Sequence, residues 1–163
     1  MTRREQILAV SIALFAAALA VASILSGDAS KRMTREAVSA ANAYAHFQAK
    51  VMRRTLYLLS VDGLTMTLAA GDDFLIRTRR DGYAREADRY AAEGRVILAA
   101  ARAHEDARDD AIRRDGYFDL AQALLAVAIA LATAALALPG RWLFVPPWVL
   151  ALTGSALMIF GAA

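Results

Sequence analysis

The sequence predicts an all-α integral membrane protein, with three transmembrane helices and a solvent-exposed antiparallel helical hairpin between the first and the second. Both ends of the chain are almost purely apolar, while the middle interleaves arginine with aspartate and glutamate. Apolar residues in the middle recur at helical spacing. We therefore divide the chain into a first transmembrane helix (1–27), a charged helical hairpin (28–116) and a transmembrane helical hairpin (117–163).

The first span covers residues 7–25, in which only Ser11 and Ser23 are polar. At 1.5 Å per residue this segment is roughly 28 Å long, close to the hydrocarbon thickness of a bilayer. The alternative is a cleaved signal peptide, because Arg3-Arg4 precede the apolar run and Ala20-Val21-Ala22 resembles a cleavage site. We favour a retained span, since the apolar run continues past the cleavage site.

Two amphipathic helices are expected in the charged middle. The first is predicted over 34–61, after a polar connector at 28–35 and before a bend at Gly71-Asp72-Asp73. Asp81 is the expected N-cap of the second helix. Gly116 costs about 1 kcal/mol against alanine in a helix interior, so we expect the second helix to run on into the second span without a break. Small and apolar residues form its predicted packing stripe: Ala84, Ala87, Ala91, Gly94, Leu98 and Ala101.

The most distinctive run of the chain lies in the first of these helices, between Asn42 and Tyr57. Its predicted packing stripe comprises Ala37, Ala41, Tyr44, Gln48, Val51, Thr55 and Leu58, widened by Phe47, Leu56 and Leu59. We favour a structural helix–helix seam, and the alternative is a binding site at Tyr44, His46, Gln48 and Lys50. The candidate interaction seam comprises Asn42, Tyr44, His46, Phe47, Gln48, Lys50, Arg53, Arg54 and Tyr57.

The C-terminal segment predicts two further spans joined by a tight turn. Residues 120–138 contain no charge, and Pro139-Gly140-Arg141 separates them from the third span at 142–162. Trp142 and Trp148 lie near one end of that span, where amphipathic rings favour the membrane interface. Because the connection is so short, these two spans must run antiparallel.

The distribution of basic residues favours a cytoplasmic hairpin. Seven lysines and arginines lie on the hairpin side near the span ends: Lys31, Arg32, Arg35, Arg102, Arg108, Arg113 and Arg114. Three lie on the opposite side: Arg3, Arg4 and Arg141. Cytoplasmic loops carry the excess of positive charge.

Composition and motifs argue against several functional classes. The net charge of +3 arises from interleaved charges, which does not predict a nucleic-acid surface, and the chain has no cysteine. His46 and His104 lie on different helices and could meet across the hairpin, but they lack a carboxylate at metal-ligand spacing. The acidic cluster at 105–110 has arginines at helical distances, which is typical of a solvated, self-paired helix face. We therefore predict no enzyme, no catalytic residue, no cofactor and no metal site.

Two motifs carry a resemblance to a known family. The run Tyr44-Ala-His-Phe-Gln-Ala-Lys50, followed by a basic pair and Leu56-Tyr57, resembles the domain-of-unknown-function family numbered 4337. The run Ala107-Arg-Asp-Asp, then Phe118-Asp-Leu-Ala-Gln-Ala-Leu-Leu125 and the closing apolar segment, resembles that family's C-terminal half. The resemblance implies a multi-pass protein of the bacterial inner membrane, with no assigned chemistry.

The function predicted is that of a structural or interaction protein in the lipid bilayer. Small residues at four-residue steps permit tight interhelical contact, as at Ala9, Ala13, Ala17 and at Ala126, Ala130, Ala134. Its expected partners are further copies of itself or other membrane subunits, with neither nucleic acid nor an identified small-molecule substrate. The alternative is a small oligomeric channel or transporter lined by Ser11, Gln122, Thr133 or Thr153.

Overall fold

The described residues are helical almost throughout, and they form three helices and no strand. A computed structural model of the chain describes residues 3–71, 73–137 and 145–162. Helix α1 is Arg3–Ala70, α2 is Phe74–Ala137 and α3 is Val145–Ala162. The predicted turn at Pro139-Gly140-Arg141 and Trp142 lie outside these residues. All three helices are long and apolar enough to cross a membrane by length and composition.

The chain divides into two compact units, and α1 and α2 contribute residues to both. Unit 1 comprises Met1–Thr34 and Arg108–Ala163, and unit 2 is Arg35–Ala107. The predicted division at 27 and 116 depends on where lipid ends, and it stays a prediction.

The predicted break at 28–35 and the predicted helix end at 61 are both wrong. The polar connector at 28–35 is helical, because α1 continues without a break through Gly27 and Asp28, and also through Gly63. Each glycine in a helix interior costs about 1 kcal/mol relative to alanine, which a helix this long offsets by packing on its neighbour. The continuity of α2 through Gly116 agrees with the prediction.

The N-cap of α2 is Asp73 rather than Asp81. The carboxylate of Asp73 accepts a hydrogen bond from the Leu75 amide at 2.8 Å, and its carbonyl accepts one from the Arg77 amide at 3.0 Å. Asp81 lies inside the helix and pairs with the neighbouring Arg80 at 2.7 Å. The predicted bend at Gly71 is confirmed, since α1 ends at Ala70.

Within unit 2 the two helices run antiparallel. Glu36 of α1 contacts His104 of α2, while Lys50, further along α1, contacts Glu93, earlier in α2. Beside the half-buried Ala37, Ser39 and Tyr44, a row of buried and half-buried positions of α1 recurs at alternating steps of three and four residues, with Arg54 as its one exposed position. We call these residues the inner stripe: Glu36, Ala40, Ala43, Phe47, Lys50, Tyr57, Val61, Leu64 and Leu68. On α2 the predicted small-residue stripe is confirmed, since Ala87, Gly94 and Ala101 are buried.

Unit 1 is a three-helix packing built around small residues. Its buried cluster comprises Phe15, Ala22, Leu125, Ala128, Ala132 and Ala151. The rings of Phe15 and Trp148 meet edge to face, with centroids 5.4 Å apart. Helix α3 crosses α2 closely at Gly154, where a Cβ atom would lie 3.2 Å from the Ala121 carbonyl oxygen. Further along α3, Gly161 contacts Phe118, earlier in α2, so the two helices run antiparallel as predicted.

Candidate interaction surface

The central stretch of α1, between Asn42 and Tyr57, lies in unit 2 and presents its side chains to two different sides. Tyr44, Phe47, Lys50 and Tyr57 contact α2. The other members of the predicted seam are exposed: Asn42, His46, Gln48, Arg53 and Arg54. The sequence thus identified a contact region, but the structure separates its residues into an internal packing seam and an outward face.

On the internal side of α1, each of three successive helical turns carries a side chain that contacts α2. Tyr44 donates its hydroxyl hydrogen bond to Glu105 at 2.7 Å. One turn on, the ring of Phe47 lies over the buried Gly94, where the absence of a side chain makes room for it. These contacts, together with the inner stripe, set the register of the two helices.

An ion pair and an aromatic cluster continue the internal side. Lys50 donates to Glu93 at 2.5 Å, and its ammonium group lies 5.0 Å from the centroid of the Tyr90 ring. Hydrogen bonding and charge from Lys50 lower the pKa of Glu93 below its ordinary value of 4.5. The Tyr57 ring stacks on that of Tyr90 at 5.7 Å and meets that of Tyr83 at 5.6 Å. Tyr57, Tyr83 and Tyr90 therefore form an aromatic cluster between α1 and α2. The sequence predicts an ordinary apolar packing stripe there.

The histidines form no metal site among the described residues. His104 pairs with Glu36 through Nδ1 at 2.7 Å, while His46 is exposed. No group of three or more histidine and carboxylate side chains that could hold a metal ion is found in the part of the chain that the structure describes. His46 and His104 therefore do not meet across the hairpin. His104 pairs with Glu36 of α1 instead.

The outward side of α1 is apolar. Met52, Leu56 and Leu59 are each at least 60% exposed, and a shallow groove of about 370 Å³ runs beside them. Its lining residues are Phe47, Gln48, Val51, Met52, Thr55 and Leu56. Most of the predicted packing stripe is wrong, because that stripe lies one residue further along the helix than the observed one. Its exposed members are Ala41, Gln48, Val51, Thr55 and Leu58, together with the widening residues Leu56 and Leu59.

Asp109 and Asp110 of the acidic cluster pair with arginines of their own helix, whereas Glu105 accepts the hydrogen bond from Tyr44 of α1. Asp109 pairs with Arg108 at 2.7 Å, and Asp110 pairs with Arg113 and with Arg114. Hydrogen bonding from Arg113, followed by charge from Arg114, lowers the pKa of Asp110. These pairs are exposed or half-buried and lie on one helix, as the arginine spacing predicted.

Unit 1 contains a polar ladder that the sequence did not reveal. Ser26 Oγ lies 2.8 Å from Asp115 and 3.1 Å from Asp119, and Ser30 donates to Asp115 at 3.2 Å. One turn earlier in α1, the Ser23 hydroxyl donates to Gln122 at 3.0 Å. The residues are about 90 positions apart in sequence, so only the register of α1 against α2 brings them together.

Taken together, the described residues define an all-helical protein with three helices of membrane-spanning length and composition. The chain belongs to the family described as Domain of unknown function (DUF4337), whose model matches residues 4–163. The resemblance carried by the two sequence motifs is thereby confirmed. Comparisons with curated proteins and with solved structures gave no match.

Proposed function

We propose that this protein is a membrane-anchored helical interaction protein, in which the apolar spans of unit 1 lie in the bilayer and the charged hairpin is exposed to solvent and contacts partners. The proposal assigns it no catalytic role, cofactor or metal. The single observation that carries it is the inverted distribution of side chains in unit 1. The buried positions are dominated by alanine and glycine, while large apolar side chains face outward.

The outward side chains of unit 1 suit lipid. On α1, Val10 and Ile24 are 61% and 65% exposed, and on α3 Ile159 and Phe160 exceed 70%. In water such surfaces would lose the hydrophobic free energy that burial supplies. In hydrocarbon they cost nothing, and helices associate instead through close backbone approach at small residues. The glycine contact between Gly154 and α2 is of that kind.

Unit 2 has the features of a coiled-coil arm. Its buried positions recur with a mean period of 3.5 residues, which matches the heptad repeat of left-handed helix pairs. The outward face of α2 is charged, with exposed arginines and aspartates such as Arg85, Asp88 and Arg102. The hairpin is charged, and basic residues lie at the ends of the spans next to it. Under the positive-inside rule, this distribution supports a cytoplasmic location of the hairpin at the bacterial inner membrane.

The geometry favours an interaction protein over the channel alternative. A water-filled pore needs polar groups that face its axis, but the hydroxyls of Ser11, Thr133 and Thr153 each donate to a carbonyl four residues earlier in their own helix. Gln122 accepts from Ser23. The hydroxyl hydrogen of each of Ser11, Thr133 and Thr153 is therefore directed at its own helix rather than at a shared axis.

The proposal is tested by carbonate extraction together with photo-cross-linking in native membranes. The cross-linking residue is introduced at Gln48, which is exposed on the outward side of α1, rather than at the half-buried Lys50. A matched control carries it at Asp88, exposed on α2. We expect the protein to stay in the carbonate pellet and to give discrete adducts from Gln48 but not from Asp88. Release by carbonate, or the absence of any adduct at Gln48, would refute the proposal.

A further inference from the structure

A second stripe runs along α1 in unit 2, on a side that α2 leaves exposed. Its positions alternate in steps of four and three residues over four heptads, and every one of them is exposed. We call it the outer stripe: Val38, Asn42, Ala45, Ala49, Met52, Leu56, Leu59, Gly63 and Met66. It carries no charge, and Asn42 is its one polar side chain.

The outward face of α2 does not share this character. Among the described residues of α2 in unit 2, the exposed large apolar side chains are Val96 and, beside the turn, Phe74 and Leu75. The outer stripe has five, with exposed fractions from 56% at Val38 to 76% at Met66. An apolar row of this length on a helix that faces water marks an interaction surface.

The spacing of the outer stripe specifies what kind of element covers it. Steps of four and three residues keep one face of a helix in contact with another helix only when the two wind around each other, because a straight helix repeats every 3.6 residues. The inner stripe, which α2 covers, has the same spacing. The element whose shape fits the outer stripe is therefore a helix that follows α1 from Val38 to Met66, over a length of roughly 42 Å.

We propose that the outer stripe is covered by the outer stripe of a second copy of this chain, with the two α1 helices parallel and in register. This inference rests on the proposed function, because two copies that cross one membrane in the same direction place their hairpins side by side and parallel.

Asn42 points to self-pairing in register. In the outer stripe it occupies the position that corresponds to an a position of a heptad, where a single asparagine fixes register and favours two parallel strands. Opposite a second Asn42, each amide has both a donor and an acceptor for the other. Opposite an apolar side chain of an unrelated helix, the same amide would be buried without a partner.

The flanks of the stripe are complementary in this arrangement. Parallel, in-register pairing sets Gln48 of one copy opposite Arg53 of the other, and Thr55 opposite Ser60. Asp62 then faces Thr67. Gln48 offers its amide oxygen to the Arg53 guanidinium, and none of the three pairs brings like charges together.

The available area is that of a stable dimer. Each of the five large side chains offers on the order of 100 Å² of apolar surface, and the smaller residues offer about half as much. The stripe thus supplies roughly 700 Å² per copy, close to the ~800 Å² per partner of a stable protein interface.

The test is disulfide cross-linking of the full chain in native membranes. The sequence contains no cysteine, so an introduced one is unique. Met52→Cys and Leu59→Cys lie on the outer stripe, and Val96→Cys is a matched control, an apolar position 72% exposed on α2. We expect covalent homodimers at both stripe positions, at least tenfold more than at Val96. Equal yields at the three positions would indicate random collision and overturn the proposal.

Co-expression of differently tagged Met52→Cys and Leu59→Cys chains tests the alignment. Parallel, in-register pairing links 52 to 52 and 59 to 59, while residues 52 and 59 stay about 10 Å apart along the axis. Predominant linkage of 52 to 59 would overturn this alignment. Asn42→Leu is expected to permit that linkage by releasing the register.

Other occupants give distinct results. Cross-links from the stripe to a different protein would overturn the second copy and leave the proposed function standing. A stripe that gives no dimer and is shielded from a water-soluble maleimide would lie on lipid, which also overturns the inference. Failure of the proposed function itself is detected separately, as release of the protein by carbonate or as the absence of any photo-cross-linked adduct at Gln48.

A second variant removes dependence on oxidation chemistry. Met52→Lys combined with Leu59→Lys changes two exposed side chains, so the monomer is expected to keep its helix content by circular dichroism. We expect the sedimented protein mass in detergent to fall from two chains to one, while Val96→Lys leaves it at two. An unchanged mass in the double variant would overturn the proposal.

Discussion

The ring of Phe47 in α1 packs directly over Gly94 in α2, and the position of a Cβ atom on Gly94 would lie 3.5 Å from Phe47 Cε2. That distance is an ordinary van der Waals contact, so the space above the glycine accommodates a methyl group. Gly94 is buried, and the stripe places the buried Ala87 and Ala101 seven residues away on either side of it. The pair therefore sets how closely the two helices of unit 2 approach.

We expect Gly94→Ala to stabilise the protein by about 0.5–1 kcal/mol, because alanine is the better helix former and its methyl group fits. Gly94→Leu is expected to destabilise it by about 1–3 kcal/mol, because the larger side chain must displace the Phe47 ring. The free energy of unfolding of the detergent-solubilised protein measures both. Gly82→Ala, where nothing lies within 4 Å, is the control for helix propensity alone. Destabilisation by Gly94→Ala would contradict the packing described.

Prediction of the packing stripes succeeded on α2 and missed by one residue on α1, for a physical reason. On α2 in unit 2, charged residues occupy the other faces of the helix. The small-residue stripe through Ala87 and Gly94 is therefore the one face that can pack against α1. On α1, apolar side chains occupy both the inner and the outer stripe, and periodicity alone does not distinguish them. Only the contacts of Phe47 and Tyr57 with α2 decide which stripe is internal.

The helix boundaries show a different limit. Composition correctly indicated helices throughout and the bend at Gly71, because both depend on local sequence. Gly27-Asp28 predicts a helix end, yet α1 continues through both residues, because helix stability in a folded protein comes mainly from tertiary packing. The hydrogen bonds of Ser26 and Ser30 to Asp115 depend on the register of two distant segments, which no local pattern encodes.

The Lys50–Glu93 pair makes the stability of unit 2 depend on pH. Because Lys50 lowers the folded-state pKa of Glu93, the stabilisation is fully present above pH 4.5, the ordinary value, and is lost as pH falls through the lowered pKa. We expect Lys50→Gln to lower the unfolding temperature at pH 7, and the difference from wild type to shrink below pH 4.5. Thermal unfolding followed by circular dichroism at pH 7 and pH 3 measures this.

The double variant Lys50→Gln with Glu93→Gln is the control for the ion pair. Having neither partner, it is expected to show no pH-dependent difference attributable to the pair, so the cycle isolates the interaction. A difference between wild type and Lys50→Gln that stays constant from pH 7 to pH 3 would show that Lys50 stabilises the hairpin through its contact with Tyr90 instead.

Gly154 is expected to tolerate no side chain. A Cβ atom there would lie 3.2 Å from the Ala121 carbonyl oxygen, and a backbone atom of α2 does not move aside as a flexible side chain does. We expect Gly154→Ala to destabilise the protein by about 1 kcal/mol or more, despite the better helix propensity of alanine. Gly116→Ala is the matched control, because nothing lies within 4 Å of that Cβ position, and it is expected to stabilise. Equal effects of the two variants in detergent unfolding would contradict the close approach of α3 to α2.

The serine–aspartate ladder predicts that Asp115 links α1 to α2 by accepting hydrogen bonds. Its two oxygens accept from Ser26 at 2.8 Å and from Ser30 at 3.2 Å. Asp115→Ala removes both acceptors and is expected to cost about 1–3 kcal/mol, since hydrogen bonds to a charged group are stronger than neutral ones. Asp115→Asn keeps one acceptor oxygen and is expected to cost less than half as much. Asp109→Ala, an exposed aspartate paired on its own helix, serves as control and is expected to change the unfolding free energy by less than about 0.5 kcal/mol. If Asp115→Ala and Asp109→Ala have equal effects, the ladder does not hold the two helices together.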